Sequence, residues 1–321
     1  MTAAIFARTL ASAAMTEVFA DRSIVAAMLA FEAALAEAEA AFASAAHGGA
    51  GPSLRSMLEH GPEDQLTLTE HAQPAILAVS VAAYRVLAAR GLEPCFVAGH
   101  SLGEYSAHVA AGTFSLADAV SVVRRRGRYM QEAVPVGTGA MAAIVGAEDA
   151  LVEQACREAA DGEIVSPANL NSPGQVSIAG HAGAVARASE RAKALGARRA
   201  IPLAVSAPFH CALMQPAQAR LEPELRALVT RRPRVPVVAN VDAEPKRDGG
   251  AAIDALIEQV SSRVRWVEVV QRLAAEGVTH YVEVGPGTVL AGFIKRIQKD
   301  AHIVSFSAPD HLDAVLGVCS N

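Results

Sequence analysis

A serine flanked by glycines, Gly99-His100-Ser101-Leu102-Gly103, divides an apolar run, Cys95-Phe96-Val97-Ala98, from an alanine-rich helical pattern. No other stretch constrains the fold as tightly, because strand, sharp turn and helix must follow one another within a few residues. The glycines leave room for an unusual backbone and for a helix packed hard on a strand. The serine at the tip is pushed above the sheet, and the first N–H groups of the helix point at whatever lies in front of it. This is the context of a G-x-S-x-G nucleophile elbow. The same residues also suit a glycine-rich connection whose serine only caps the helix, and the motif alone does not decide between the two.

A chain of 321 residues suggests two structural units, or one large α/β domain with an insertion. Apolar residues at 52% against 19% charged allow a sizeable core, and a net charge of −5 gives no sign of nucleic-acid binding. Cys95, Cys156, Cys211 and Cys319 are far apart and form no C-x-x-C, which argues against a metal site or a disulfide framework and suits a reducing cytosol. No apolar run approaches the roughly 18 residues of a membrane span. Glu17, Asp21, Arg22 and Glu32 interrupt any signal-peptide core. The expectation is a soluble cytoplasmic protein with no membrane partner.

Residues 1–46 read as wholly helical, with Ser23 as the cap of a helix through Ile24, Met28, Phe31 and Leu35. His47-Gly48-Gly49-Ala50-Gly51-Pro52 breaks it. A helix over 67–90 passes Gln73-Pro74 and leads to the elbow strand. Ser115, with Asp118 three residues on, opens another that runs to about Gln131. Between 137 and 205 the pattern is strand (141–145), helix (149–159), strands (164–165 and 175–179), helix (182–195) and strand (200–205). That β-α-β-β-α-β order is ferredoxin-like. Apolar runs at 235–240 and 279–284 suit buried parallel strands, with helices over 251–259 and 267–276. The fold class is α/β: a large subdomain over 51–136 and 206–321, an inserted ferredoxin-like subdomain over 137–205, and an atypical helical segment over 1–50.

A serine nucleophile needs a base. His210, in Ser206-Ala207-Pro208-Phe209-His210, lies where the chain leaves the small unit and crosses back toward the cleft. His100 neighbours the serine but points elsewhere on a tight turn, and His108 lies on the following helix. Asp242 and Glu283 are possible third members beside His210.

These residues belong to a wider set. Thr67 to Glu70 with Ala72-Gln73-Pro74-Ala75, the elbow through Glu104-Tyr105, and Arg126-Gly127 with Met130-Gln131-Glu132-Ala133 come first. Asn171-Ser172-Pro173-Gly174-Gln175, Pro208-Phe209-His210-Cys211-Ala212-Leu213-Met214 and Glu283-Val284-Gly285-Pro286-Gly287 follow. From about Leu54 to the C-terminus the chain resembles the malonyl-CoA:acyl-carrier-protein transacylases of bacterial fatty-acid synthesis and the acyltransferase domains of polyketide synthases. The resemblance implies an α/β-hydrolase-like large subdomain. It makes Ser101 the nucleophile that takes the malonyl group from malonyl-CoA, and His210 the base used again to activate the phosphopantetheine thiol of acyl-carrier protein. It further implies that backbone carbonyls and the side chain of Gln259 orient His210. Arg126 holds the free carboxylate with two parallel donors, the Leu102 N–H is one oxyanion donor, and Phe209 fills the space of an α-methyl group. Asn171 and Gln175 lie on a tight turn over the pocket, and Gln73 is a further pocket residue. The expectation is a monomer with no metal and no permanently bound cofactor, malonyl-CoA being substrate. A basic docking face for acidic carrier protein falls to Lys295, Arg296 and Lys299, with Arg124 or Arg128. Those residues equally suit an ordinary solvated helix face.

The chain departs from the family at its start, where a strand and a Gly-Gln-Gly-Ser turn with the second oxyanion donor are expected. The first 46 residues contain no glycine and bear a weak likeness, through Phe19-Ala20-Asp21-Arg22 and the run from Met28 to Leu35, to the N-terminal helices of the fumarase/argininosuccinate lyase superfamily. Lacking one such donor costs about 10²–10³ in kcat, so slow transacylation is expected. Two other readings stay open: a serine hydrolase of the α/β type, and an acyltransferase-like module that binds without turnover.

Overall fold

Spacings of three and four put Ala27, Phe31, Ala34, Leu35, Ala38 and Phe42 on one face of the first helix, α1 (Arg22–Ser44), and that face is buried. A computed structural model describes residues 22–45 and 53–319. Ser23 lies inside α1 rather than at its cap, while the expected helix over 1–21 and the break over 46–52 lie outside the described residues. The helices α2 (Leu54–His60), α3 (Glu63–Thr67) and α4 (Thr69–Ala89) follow. Contrary to the sequence expectation, α4 is long and apolar enough, by length and composition, to cross a membrane. Most of it is buried inside this chain, with α1 and α6 (Leu116–Glu132) packed against it. Ser115 caps α6 as expected, its side chain accepting from the Asp118 N–H.

The elbow strand is short: β1 (Val97–Ala98) leads into the turn and α5 (Leu102–Ala111). It pairs in parallel with β6 (Val237–Val238), which pairs antiparallel with β7 (Pro245–Lys246). The apolar run at 235–240 thus contributes only two ladder residues; Pro236 has no N–H to give, and Asn240 turns to the site. A separate parallel pair, β8 (His280–Val284) with β9 (His302–Phe306), completes the large unit. Between β1 and β6 the chain builds β2 (Gly139–Val145), α7 (Asp149–Ala159), β3 (Val165–Ser172), β4 (Gln175–His181), α8 (Ala182–Ala194) and β5 (Arg199–Pro202). Their antiparallel order, β3-β4-β2-β5, is ferredoxin-like. Ile144, Val152, Val176, Ile178 and Val185 form a core of their own. The two-residue turn of its hairpin is Pro173-Gly174, with Gly174 at φ 72°. Asn171 and Gln175 therefore stand in strands, not on the turn that was expected to carry them. Reciprocal backbone bonds between Val264 and the β3 residues Ala168 and Leu170 fix the small unit against the large one. The remaining helices are α9 (Gln215–Arg226), α10 (Gly249–Gln259), α11 (Trp266–Ala275), α12 (Val289–Ile297) and α13 (Leu312–Cys319).

Candidate active site

Ser101 occupies φ 52°, ψ −105°, a conformation that non-glycine residues seldom adopt. The turn around it demands glycine at position 99, where a Cβ would come within 2.0 Å of the Gly103 carbonyl carbon. Such strain costs on the order of 1–3 kcal/mol and persists only where the surroundings hold it. Here Asn240 does so: its Oδ1 accepts the Ser101 N–H at 2.7 Å and its Nδ2 donates to the Gly99 carbonyl at 2.8 Å. Leu102 is the first residue of α5, so its N–H has no carbonyl partner within the helix.

His210, also at positive φ, is buried with its Nε2 2.7 Å from Ser101 Oγ. Its Nδ1 lies 3.0 Å from the Gln259 carbonyl oxygen. A carbonyl only accepts, so the proton resides on Nδ1 and the Nε2 lone pair faces the serine. Asp242 and Glu283 do not touch the ring. Asp242 pairs with Lys246, and Glu283 accepts the Leu290 and Ala291 N–H groups at the start of α12. Burial, and then the Arg126 charge, push His210 down to about 3, and burial alone does the same to His108.

The unfolded chain protonates both histidines near 6.5 and the fold does not, so unfolding takes up protons below that pH. Glu104, raised by burial from 4.5 to about 7, works in the opposite sense between those values but is one group against two. Stability is therefore expected to fall as pH drops from 6.5 toward 3. Thermal unfolding followed across that window checks this, and a melting temperature that rises on acidification contradicts it.

Arg126 is only 2% exposed. A Cβ on Gly127 would meet the Thr69 carbonyl oxygen at 2.4 Å, so α6 is pressed against the first turn of α4. That approach brings Arg126 to Gln73, whose Oε1 accepts from Nη1 at 2.7 Å, while Gln73 Nε2 donates to Thr69 Oγ1. Arg126 Nη2 reaches Gln259 Oε1 at 3.0 Å and Ser101 Oγ at 3.2 Å. Among the described residues no carboxylate lies within ion-pair distance of it. The neighbouring arginines are not a free basic face. Arg124 stacks on Phe42, Arg125 pairs with Glu224, and Arg128 lies over Tyr129.

Gln259 departs from its expected role. Its backbone orients His210, while its side chain serves Arg126 through Oε1 and, through Nε2, the Ser101 carbonyl at 3.0 Å and Glu104 Oε2 at 2.8 Å. Asn171, buried on β3, holds His100 at 2.9 Å. Phe209 is half-buried beside His210, packed on the small-unit residues Met141, Ala168 and Ala179. Sequence reasoning missed Asn240 and Glu104. The signal for Asn240 was its place beyond the carboxyl end of a parallel strand, where α/β sheets build sites.

The acyl transferase domain family matches residues 22–316. That match reaches back through α1, which packs on α4 and α6 of the large unit. The malonyl CoA-acyl carrier protein transacylase of Escherichia coli (strain K12) is 51% identical over 267 residues, covering 83% of this chain and 86% of that protein. The structure of the malonyl CoA-acyl carrier protein transacylase from Coxiella burnetii superposes with TM-score 0.87 at 40% identity, over 91% of this chain and 90% of that one. A malonyl-transacylase solved in complex with its type II polyketide-synthase acyl-carrier protein gives TM-score 0.85 at 43% identity, over 91% and 92%. A serine beside a buried histidine and a buried arginine on this fold, with likeness of that extent, places the chain in the acyl transferase family, among the malonyl CoA-acyl carrier protein transacylases.

Proposed function

We propose that this chain moves a malonyl group from malonyl-CoA to the phosphopantetheine thiol of acyl-carrier protein through an ester on Ser101. One observation carries the reading: Ser101 Oγ lies between a neutral base, His210 Nε2, and a buried guanidinium, Arg126 Nη2. One methylene separates the two carboxyl carbons of malonate, so a carboxylate paired with Arg126 leaves the thioester carbonyl over the serine. His210 takes the hydroxyl proton as Oγ attacks the carbonyl, and the C–S bond breaks as that proton passes to the departing CoA sulfur. The second half runs in reverse: His210 deprotonates the carrier thiol, which displaces Ser101. The Leu102 N–H faces the developing oxyanion. A bound malonyl carboxylate also offsets the Arg126 charge that depresses His210, so substrate makes its own base stronger.

Carrier protein, being acidic, is read as docking near Lys295, Arg296 and Lys299 at the end of α12. Arg296 there donates to Gln175 Oε1 at 2.6 Å and so ties the small unit to that face. The unpaired Cys95, Cys156 and Cys211 suit a cytoplasmic setting.

Intact-mass measurement tests the reading. Malonyl-CoA should add one malonyl group to the chain, and carrier protein should then remove it. Release of free malonate with no transfer is the result a hydrolase would give. Selectivity follows from Phe209: Phe209→Ala should raise methylmalonyl relative to malonyl transfer by about 10- to 100-fold, since a methyl group excluded by packing is worth about 1–3 kcal/mol. An unchanged ratio in competition assays removes Phe209 from specificity.

A further inference from the structure

Glu104 is fully buried on the first turn of α5, yet the mechanism above assigns it no step. A glutamate three residues past a cap commonly turns back to the cap N–H. Here Asn240 Oδ1 already takes the Ser101 N–H, and the Glu104 carboxyl group points away from it. Oε2 accepts two bonds: from the Asn240 backbone N–H at 2.9 Å and from Gln259 Nε2 at 2.8 Å. Oε1 is buried with no hydrogen-bond partner. Each group held by Oε2 meets the chemistry at a second point. Asn240 supports the Ser101 turn, while Gln259 offers its carbonyl to His210 and its Oε1 to Arg126.

We propose that Glu104 is a positioning residue for acyl transfer, a single acceptor atom that clamps Gln259 and the strand end at Asn240 onto the turn carrying Ser101. The proposal rests on the transferase reading only for the reaction it serves. The acceptor matters and the charge does not. Arg126 and Asp242 are the charged groups around it, and burial raises the carboxyl to about 7. A proton entering there goes to the unpartnered Oε1 and leaves both Oε2 bonds in place. Glutamine reproduces that state, with its oxygen as acceptor. Aspartate keeps the charge and, one methylene shorter, cannot reach both donors.

The experiment compares Glu104→Gln and Glu104→Asp by two readouts: malonylation of Ser101 by malonyl-CoA, and labelling of Ser101 by a fluorophosphonate, which needs no malonyl group. Glu104→Gln is expected to stay within about threefold of the parent in both. Glu104→Asp should be about 10- to 100-fold slower in both while folded by circular dichroism, as small displacements of reacting groups cost that much. In a Gln259→Ala background the aspartate effect should shrink to about twofold or less. A glutamine variant slowed tenfold, a folded aspartate variant at parental rate, or an effect independent of Gln259 overturns the proposal. If the aspartate variant does not fold, the glutamine arm decides alone, because a clamp made by charge fails there. A parent that takes the phosphonate but not malonate defeats the transferase reading and leaves the clamp under test.

Discussion

Replacing Ser101 by alanine is expected to abolish the malonyl adduct and to lower transfer to carrier protein by about 10⁴-fold or more. The size follows from the covalent route. Without Oγ there is no ester to form, and His210 Nε2, 2.7 Å away in the parent, has no proton to take. What remains is binding and the Leu102 N–H, which polarise the thioester without supplying a nucleophile. The chain should remain folded, because Asn240 bonds the backbone N–H of residue 101, not its side chain. Single-turnover kinetics with labelled malonyl-CoA give the rate, and an adduct persisting in Ser101→Ala would move the nucleophile elsewhere.

Arg126→Ala is expected to lower malonyl transfer by about 10²–10³-fold relative to acetyl transfer. Removing one partner of a buried charge pair costs about 2–5 kcal/mol, and each 1.4 kcal/mol is a factor of ten. Truncation also leaves Gln73 Oε1 and Gln259 Oε1 without their donor, which affects every substrate alike. The ratio of the two acyl groups cancels that shared loss, and so the ratio is the quantity to measure. Arg126→Lys should recover only part of it, since an ammonium offers no planar pair of donors and does not span Gln73, Gln259 and the substrate together. Equal losses for malonyl and acetyl would reduce Arg126 to a scaffold residue.

The elbow was legible because its requirement is local. Gly99 leaves no room for a Cβ, and the apolar run and helix around it occupy the positions their spacing predicts. The ferredoxin-like order could be read for the same reason: each short strand and helix carries its own period. The basic run at 124–128 was harder. Its arginines are alike in sequence, and only packing separates them, with Gly127 pressed on Thr69 while Arg126 turns inward. Asn171 was misplaced because a Pro-Gly pair marks a turn without saying how many flanking residues the strands absorb.

What the sequence determined by itself is the chemistry on offer: a strained serine, a histidine where the small unit returns, one arginine and an α/β frame to carry them. Only the tertiary structure decided how they are held. The partner of His210 is a backbone carbonyl at Gln259, which no residue type announces. Asp242 and Glu283, apt in composition, are engaged elsewhere. Glu104 carries no assigned role in the elbow motif until the fold buries it and brings Asn240 and Gln259, more than 130 positions away, to a single carboxyl oxygen. Local sterics act between neighbours and are written in the chain. Desolvation and hydrogen bonding act between groups that meet only when the core closes.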